Sequence, residues 1–436
     1  MGQAPVVLHI LFATLLHVLG ASLALATKPR RPDMSPAWLT LSRRVQETEP
    51  AHIEEVLSKY SGLADEPSNL AQGVAHWSPP PAALEVCCGQ FTDKECEAQL
   101  ASPGTHRYGP ALGLPELRDA LVRKLEKENG LNMHGQQVMV TAGGNQAFAM
   151  VALALLDPGD RALLVKPFYC AHLCAVQLAG AEVVGCEWDP QTLLPDMANL
   201  RKELERGVKM VVVTTPGNPS GAVYPQAVMD EIVSLCRNYE AWLVVDEAYE
   251  HFLFDGSRHY SPCANNLGHP GLIHLFSMSK SFGLAGWRVG YAVYPDWAGA
   301  DLVKIQDTLP THAPIASQKV ALAALEGTGG GSAWSISKAA SLSRCREEAW
   351  AAVRAMGGVK GTGAFYYLVP LPEGVGEDAA IDCLAREWKV LVTPGRAFGA
   401  PGHIRISYGS LPEQECLAAI DRLRKGLASL AGDTHG

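Results

Sequence analysis

Short, unbroken apolar runs punctuate the middle of this chain, separated by stretches with helical signals. Val138–Thr141 (VMVT), Met210–Thr214 (MVVVT) and Ala241–Val245 (AWLVV) are each too short for a helix and lack polar alternation. That pattern predicts strands buried on both faces, as in a parallel sheet. Strand and helix signals alternate from roughly Pro80 to Leu325, which predicts a large α/β domain (80–325) whose mostly parallel sheet is wrapped by helices. On either side the pattern changes. Ile53-Glu54-Glu55-Val56-Leu57 has helical spacing, and residues 27–79 read as an N-terminal arm and part of a smaller domain. Gly327–Ser332 is a loop by composition, ahead of a helix expected around Ile336–Met356. An aromatic strand, Phe365–Leu368, follows a glycine turn, and an amphipathic helix is expected from Glu413 to Leu430. Residues 326–436 therefore complete a smaller α+β domain, and no internal repeat is present.

Composition narrows the function classes. At 436 residues and 47% hydrophobic, the chain can bury a large core. A net charge of -9 without a basic block argues against nucleic acid as a partner, because phosphate-backbone binding needs Lys/Arg clusters. Eleven cysteines without CxxC pairs or matching His spacing give no zinc signature, so no metal is expected. Most read as buried thiols; Cys87, Cys88 and Cys96 form a disulfide candidate if the compartment is oxidising. Val6–Ala26 is apolar apart from His9, His17 and a few small polar residues, and ends in Ala24-Leu25-Ala26 before a basic stretch. It reads as a cleavable signal peptide for the secretory pathway. Two alternatives stay open: an uncleaved membrane anchor, since no Lys or Arg precedes the apolar run, or the first half of a bipartite plastid leader.

Candidate chemistry is concentrated at the predicted strand ends. Ser277-Met278-Ser279-Lys280-Ser281-Phe282-Gly283 sets a lysine among hydroxyls and small residues, with Arg288 further on. A nearby cation lowers a lysine's pKa, so Lys280 is equipped to form a Schiff base with a phosphorylated aldehyde while Arg288 pairs with its phosphate. The strand ending in Asp246 places a carboxylate where it can keep a pyridine nitrogen protonated, with Tyr249 three residues on to hydrogen-bond a phenolic oxygen. Asn218, in the turn Thr215-Pro216-Gly217-Asn218-Pro219, projects from a rigid backbone and can donate to the same oxygen. Thr141-Ala142-Gly143-Gly144-Asn145 offers free amides at a helix start to an anion.

Together and in this order, these motifs resemble the class I/II aminotransferases, fold type I pyridoxal 5'-phosphate (PLP) enzymes, from about Pro50 to the C-terminus. The resemblance implies Lys280 as the Schiff-base and proton-transfer lysine, Asp246 as the pyridinium partner, and Asn218 and Tyr249 at the phenolic oxygen. It further implies Ser277, Arg288, Gly144 and Asn145 around the phosphate, and Tyr169 stacked on the ring. In Tyr108-Gly109-Pro110, Tyr108 matches the tyrosine that reaches the neighbouring subunit's site, which implies a homodimer. Arg405 matches the arginine that clamps the substrate α-carboxylate, Gly73 a glycine whose backbone faces substrate, and Trp77 is a candidate wall of the side-chain pocket. Arg396 is a conceivable second arginine for dicarboxylates, against the plainer reading of a solvated turn residue. Leu70–Pro80, Lys304–Pro310 and Leu423–Gly426 look like plant aromatic aminotransferases that take methionine as donor and phenylpyruvate or indole-3-pyruvate as acceptor. Glu85–Gly104 departs from that pattern as an insertion. The expected reaction is ping-pong transfer between an amino acid and a 2-oxo acid. A carbon-sulfur lyase of the same fold is the alternative, and a noncatalytic cofactor-binding regulatory protein a third reading.

Overall fold

The structure, a computed structural model, describes residues 42–63, 65–89 and 107–432. The apolar leader, Cys96 and all but the first residues of Glu85–Gly104 lie outside the described residues; Cys87 and Cys88 fall in the helix Pro81–Gly89. The chain divides into two compact units, one ending at Gln46 and one starting at Glu47, and the elements below belong to the second. Among the described residues, no helix is long and apolar enough to cross a membrane.

The strands are β1 (Ser68–Asn69), β2 (Gln136–Thr141), β3 (Arg161–Val165), β4 (Glu182–Cys186), β5 (Met210–Thr214), β6 (Trp242–Asp246), β7 (Leu272–Ser277), β8 (Gly290–Pro295), β9 (Tyr366–Pro370), β10 (Val390–Leu391), β11 (Thr393–Pro394) and β12 (His403–Ser407). Seven of them form one sheet in the order β2-β8-β7-β6-β5-β3-β4. Within it β8 alone runs against its neighbours, and the other pairings are parallel. The unbroken apolar runs follow from two buried faces. Met210, Val212 and Val244 join one core with the helices Gly144–Leu155 and Cys170–Ala179. Their neighbours Val211, Val213, Leu243 and Val245 point the other way, against the helices Met197–Glu205 and Gln226–Asn238.

A second, antiparallel sheet has the order β11-β12-β9, and β1 pairs in parallel with β10. Val56, Tyr60 and Leu70 share a core with Leu342, Val353, Ile381 and Leu423, so the chain before the large sheet packs with the chain after it. The C-terminal helix runs Glu413–Gly432. The helix expected around Ile336–Met356 is instead two, Gly331–Ser341 and Ser343–Val353, followed by a 3-10 turn, and the loop ahead of it is correspondingly shorter. Serine hydroxyls flank the break. Ser341 and Ser343 donate back to the carbonyls of Lys338 and Ala340, each at 2.7 Å, and such back-bonding bends helices.

Candidate active site

Parallel strands deliver their C-terminal ends to one edge of the sheet, where ligands of open α/β sheets bind. There β6 ends at Asp246, β7 ends at Ser277 one turn before Lys280, and the loops after β3 and β5 bring Tyr169 and Asn218. A cavity of about 440 Å³ opens there, lined by Lys280, Asp246, Asn218, Tyr249, Tyr169, Ser277, Arg288, Gly144, Asn145, Gly73 and Arg405. Residues more than 300 positions apart in sequence thus meet in one place.

Burial pushes the pKa of Lys280 down to about 8, and repulsion from Arg288 and Arg405 adds to the shift, against attraction from Asp246. About a tenth of the amine is therefore neutral at pH 7, far more than for an ordinary lysine. Beside it, the helix Gly144–Leu155 begins without a side-chain cap, so its first amides and positive dipole end face the cavity. Gly143 is required there: its φ is +90°, and a Cβ would collide with the Arg288 guanidinium. On the opposite strand Gly290 has the same necessity, since its Cβ would lie 2.8 Å from the Gly143 carbonyl carbon and the Gly144 nitrogen.

Both oxygens of Asp246 are engaged. His172 Nε2 lies 3.1 Å from Oδ2, and the Ala248 amide donates to Oδ1 at 3.1 Å. His172 is itself held between Phe148 and Tyr169, with ring centroids at 4.1 and 5.4 Å. On the other flank four residues close a ring. Arg405 Nη1 donates to Asn218 Oδ1 at 2.9 Å, Asn218 Nδ2 to the Tyr249 hydroxyl at 3.5 Å, and the Tyr249 and Tyr366 hydroxyls share a 2.6 Å bond. Tyr366 then stacks under Arg405, 4.7 Å from ring centroid to guanidinium carbon. Burial and the Tyr366 hydroxyl push Tyr249 well above the usual phenol range, which keeps it a proton donor. Arg405 is wholly buried, with Phe398 also 4.7 Å away; its Nη2 donates to the Ala71 carbonyl and to Thr393 Oγ1. Its Nε has no partner among the described residues. Such a donor is what an incoming carboxylate would satisfy.

Three sequence candidates are placed elsewhere. Trp77 does not wall the cavity: it is buried against Phe252, with ring centroids at 6.0 Å, because the apolar core beside β1 takes its indole. Arg396 turns from the cavity to Glu377 and Asp378, at 3.1 and 2.6 Å, which neutralise it. Tyr108 is 87% exposed, its ring edge-on to His312, and lines no part of this cavity. Sequence reasoning in turn missed His172, Tyr366 and Thr393. The pattern Tyr169-Cys-Ala-His172 at helical spacing could have flagged the first; nothing local marks the other two.

Residues 81–423 match the family Aminotransferase class I and II. The chain belongs to the class I and II aminotransferases. Aromatic aminotransferase ISS1 of Arabidopsis thaliana is 39% identical over 401 residues, covering 89% of this chain and 97% of its own length. Aspartate/prephenate aminotransferase of Thermus thermophilus is 32% identical over 77% of this chain and 86% of its own. The solved aspartate aminotransferase of Thermus thermophilus with maleate superposes with a TM-score of 0.80 at 30% identity, over 89% of this chain and all of that one. The enzyme is thus a PLP-dependent transaminase. The residues present fit that cofactor: an amine of lowered pKa, an uncapped helix start with Arg288 and Ser277 for the phosphate, a carboxylate held by the Ala248 amide with His172 beside its other oxygen, and phenol and amide donors at one flank.

When bound, PLP supplies an aldehyde that exchanges amines and a ring that withdraws electrons from the substrate's α-carbon. Asp246, oriented by His172 and the Ala248 amide, would hold a proton on the ring nitrogen, while Asn218 and Tyr249 would donate to the phenolic oxygen. Arg405 would fix the substrate carboxylate through paired N–H donors. Lys280 Nζ, with its pKa near 8, is suited to take the α-proton.

Proposed function

We propose that this transaminase takes methionine or an aromatic amino acid as donor and passes the amino group to an aromatic 2-oxo acid, such as phenylpyruvate or indole-3-pyruvate. The observation that carries this reading is the wall built by the N-terminal helix His52–Tyr60. Ile53 and Leu57 line the cavity with Cys174, giving apolar surface, and Glu54 is an acid on that wall. A dicarboxylate would need a second cation. The arginines on the cavity lining are Arg288 and Arg405, each already given a role, while Arg396 is neutralised elsewhere. The similarity to the aromatic aminotransferase of Arabidopsis thaliana supports the same reading. Steady-state kinetics with methionine, phenylalanine, tryptophan and aspartate as donors test it. We expect parallel-line ping-pong plots and a kcat/KM for methionine or an aromatic donor at least about tenfold above aspartate, the lower end of what one pocket contact supplies. Aspartate as the best donor would overturn it.

We further propose a homodimer in which Tyr108 completes the partner's site; its 87% exposure in the single chain supports this. Sedimentation, together with cofactor affinity of Tyr108→Phe, checks it, and a monomer of full activity would refute it. For the segment Val6–Ala26 we propose targeting to the secretory route, supported by its apolar run and Ala24-Leu25-Ala26. Imaging a reporter fused after Pro36 decides this, and a reporter that remains in the cytosol would exclude it.

A further inference from the structure

Away from the active site, the helices Ser343–Val353 and Glu413–Gly432 pack directly on each other. Each brings a cysteine to the seam. Cys345 is 2% exposed and Cys416 wholly buried, and both thiols are free. Cys345 Sγ lies 3.8 Å from the carbonyl oxygen of Glu413, which is one helical turn before Cys416 on the facing helix. Side chains on a helix lean toward its N-terminus, so the Cys416 thiol is carried back over that same turn. That places both thiols over the same turn of the seam, Cys345 Sγ at the Glu413 carbonyl and Cys416 Sγ 3.6 Å from the Tyr408 carbonyl.

We propose that Cys345 and Cys416 are a redox modification site that closes to a disulfide, tying the two helices together, when the folded enzyme meets a disulfide oxidant of the glutathione class. Their environments divide the labour. The neighbouring Cys416 thiol holds Cys345 below the usual thiol range, outweighing burial, while the neighbouring Cys345 thiol and burial push Cys416 up. Cys345, once deprotonated, attacks one sulfur of glutathione disulfide and releases one glutathione thiolate. Cys416 then gives up its proton and displaces the second glutathione. Two protein thiols and one glutathione disulfide thus become one protein disulfide and two glutathione thiols. The bond would close a loop of about 70 residues, long enough for a large constraint on the unfolded chain. Burial sets the condition for access: the oxidant must arrive during local opening of the C-terminal helix.

The test uses the leaderless holoenzyme, incubated with glutathione disulfide under native conditions well below its melting temperature and long enough for local opening of the C-terminal helix to admit the oxidant, then denatured and alkylated with N-ethylmaleimide. The proposal expects two fewer adducts per chain than in the reduced control. It also expects a peptide pair joining Cys345 to Cys416, a higher melting temperature, and reversal of all three by dithiothreitol. Cys345→Ser and Cys416→Ser should each abolish the cross-linked pair. Full alkylation of both residues after oxidation, or a stable glutathione adduct on one without the cross-link, would overturn the proposal. Because the peptide pair is read on the unaltered chain, the result stands even if a serine variant folds poorly.

Discussion

Arg405→Lys keeps a positive charge in the buried position but removes the planar fork. In the native site Nη1 donates to Asn218 Oδ1 at 2.9 Å, Nη2 to Ala71 and Thr393, and Nε is unpartnered. A lysine ammonium can take over one or two of these protein bonds, but it cannot also present two parallel donors to a carboxylate. Losing one charge-assisted bond costs about 1.5–3 kcal/mol, or roughly 10- to 150-fold in substrate affinity. Arg405→Ala removes the charge as well, so about 2–5 kcal/mol, or roughly 30- to 5,000-fold, is expected. The assay is the half-reaction: the visible absorbance of the bound cofactor is followed during titration with methionine, giving an apparent Kd separately from the rate at saturation. Cofactor affinity should change little, since Arg405 is assigned to the substrate carboxylate. If Arg405→Lys bound methionine within about twofold of wild type, the carboxylate role would be wrong.

Other expectations follow from the same geometry. Lys280 has its pKa pushed down to about 8, so it is mostly protonated below that pH and mostly neutral above it; capture of PLP by the apo-protein should quicken as pH rises through about 8 and then level off, as stopped-flow absorbance would show. Glu247 is fully buried between His274 and His259, each at 2.5 Å; burial pushes its carboxyl up, but the two imidazoles outweigh this and hold it at about 2. Its stabilisation is therefore complete above its unfolded pKa of about 4.3 and is lost as pH falls toward about 2. Glu247→Ala should destabilise the enzyme by about 3–5 kcal/mol at neutral pH, measured by denaturant unfolding, and should flatten the acid limb of the stability profile. A Cβ at Gly73 would collide with the Tyr366 hydroxyl, so Gly73→Ala should raise KM for the donor about tenfold while leaving the cofactor's absorbance in place.

Residues whose chemistry depends on a strand end were legible from sequence, because a short motif fixes both identity and place. Asp246 closes an apolar run, Lys280 follows β7 within one turn, and Asn218 sits in a proline-bounded turn. The paired faces of β5 and β6 were legible for the same reason, since two apolar faces leave no polar alternation. His172 and Tyr366 were not, because their roles exist only through packing. His172 reaches Asp246 from a helix 74 residues earlier, and Tyr366 meets Tyr249 across 117 positions. Trp77 shows the converse failure: an indole beside a candidate substrate glycine suggests a pocket wall, yet the core around Phe252 claims it. The break at Leu342 falls inside a continuous helical pattern, with no Gly or Pro to announce it.

The most direct test of the central claim is an absorbance cycle on the leaderless holoenzyme, with ammonia and pyruvate assayed in parallel. Methionine should abolish the visible band of the bound cofactor without releasing ammonia, phenylpyruvate should restore it with formation of phenylalanine, and Lys280→Ala should show neither change. Release of ammonia and a 2-oxo acid without any acceptor, or a complete cycle in Lys280→Ala, would contradict the account.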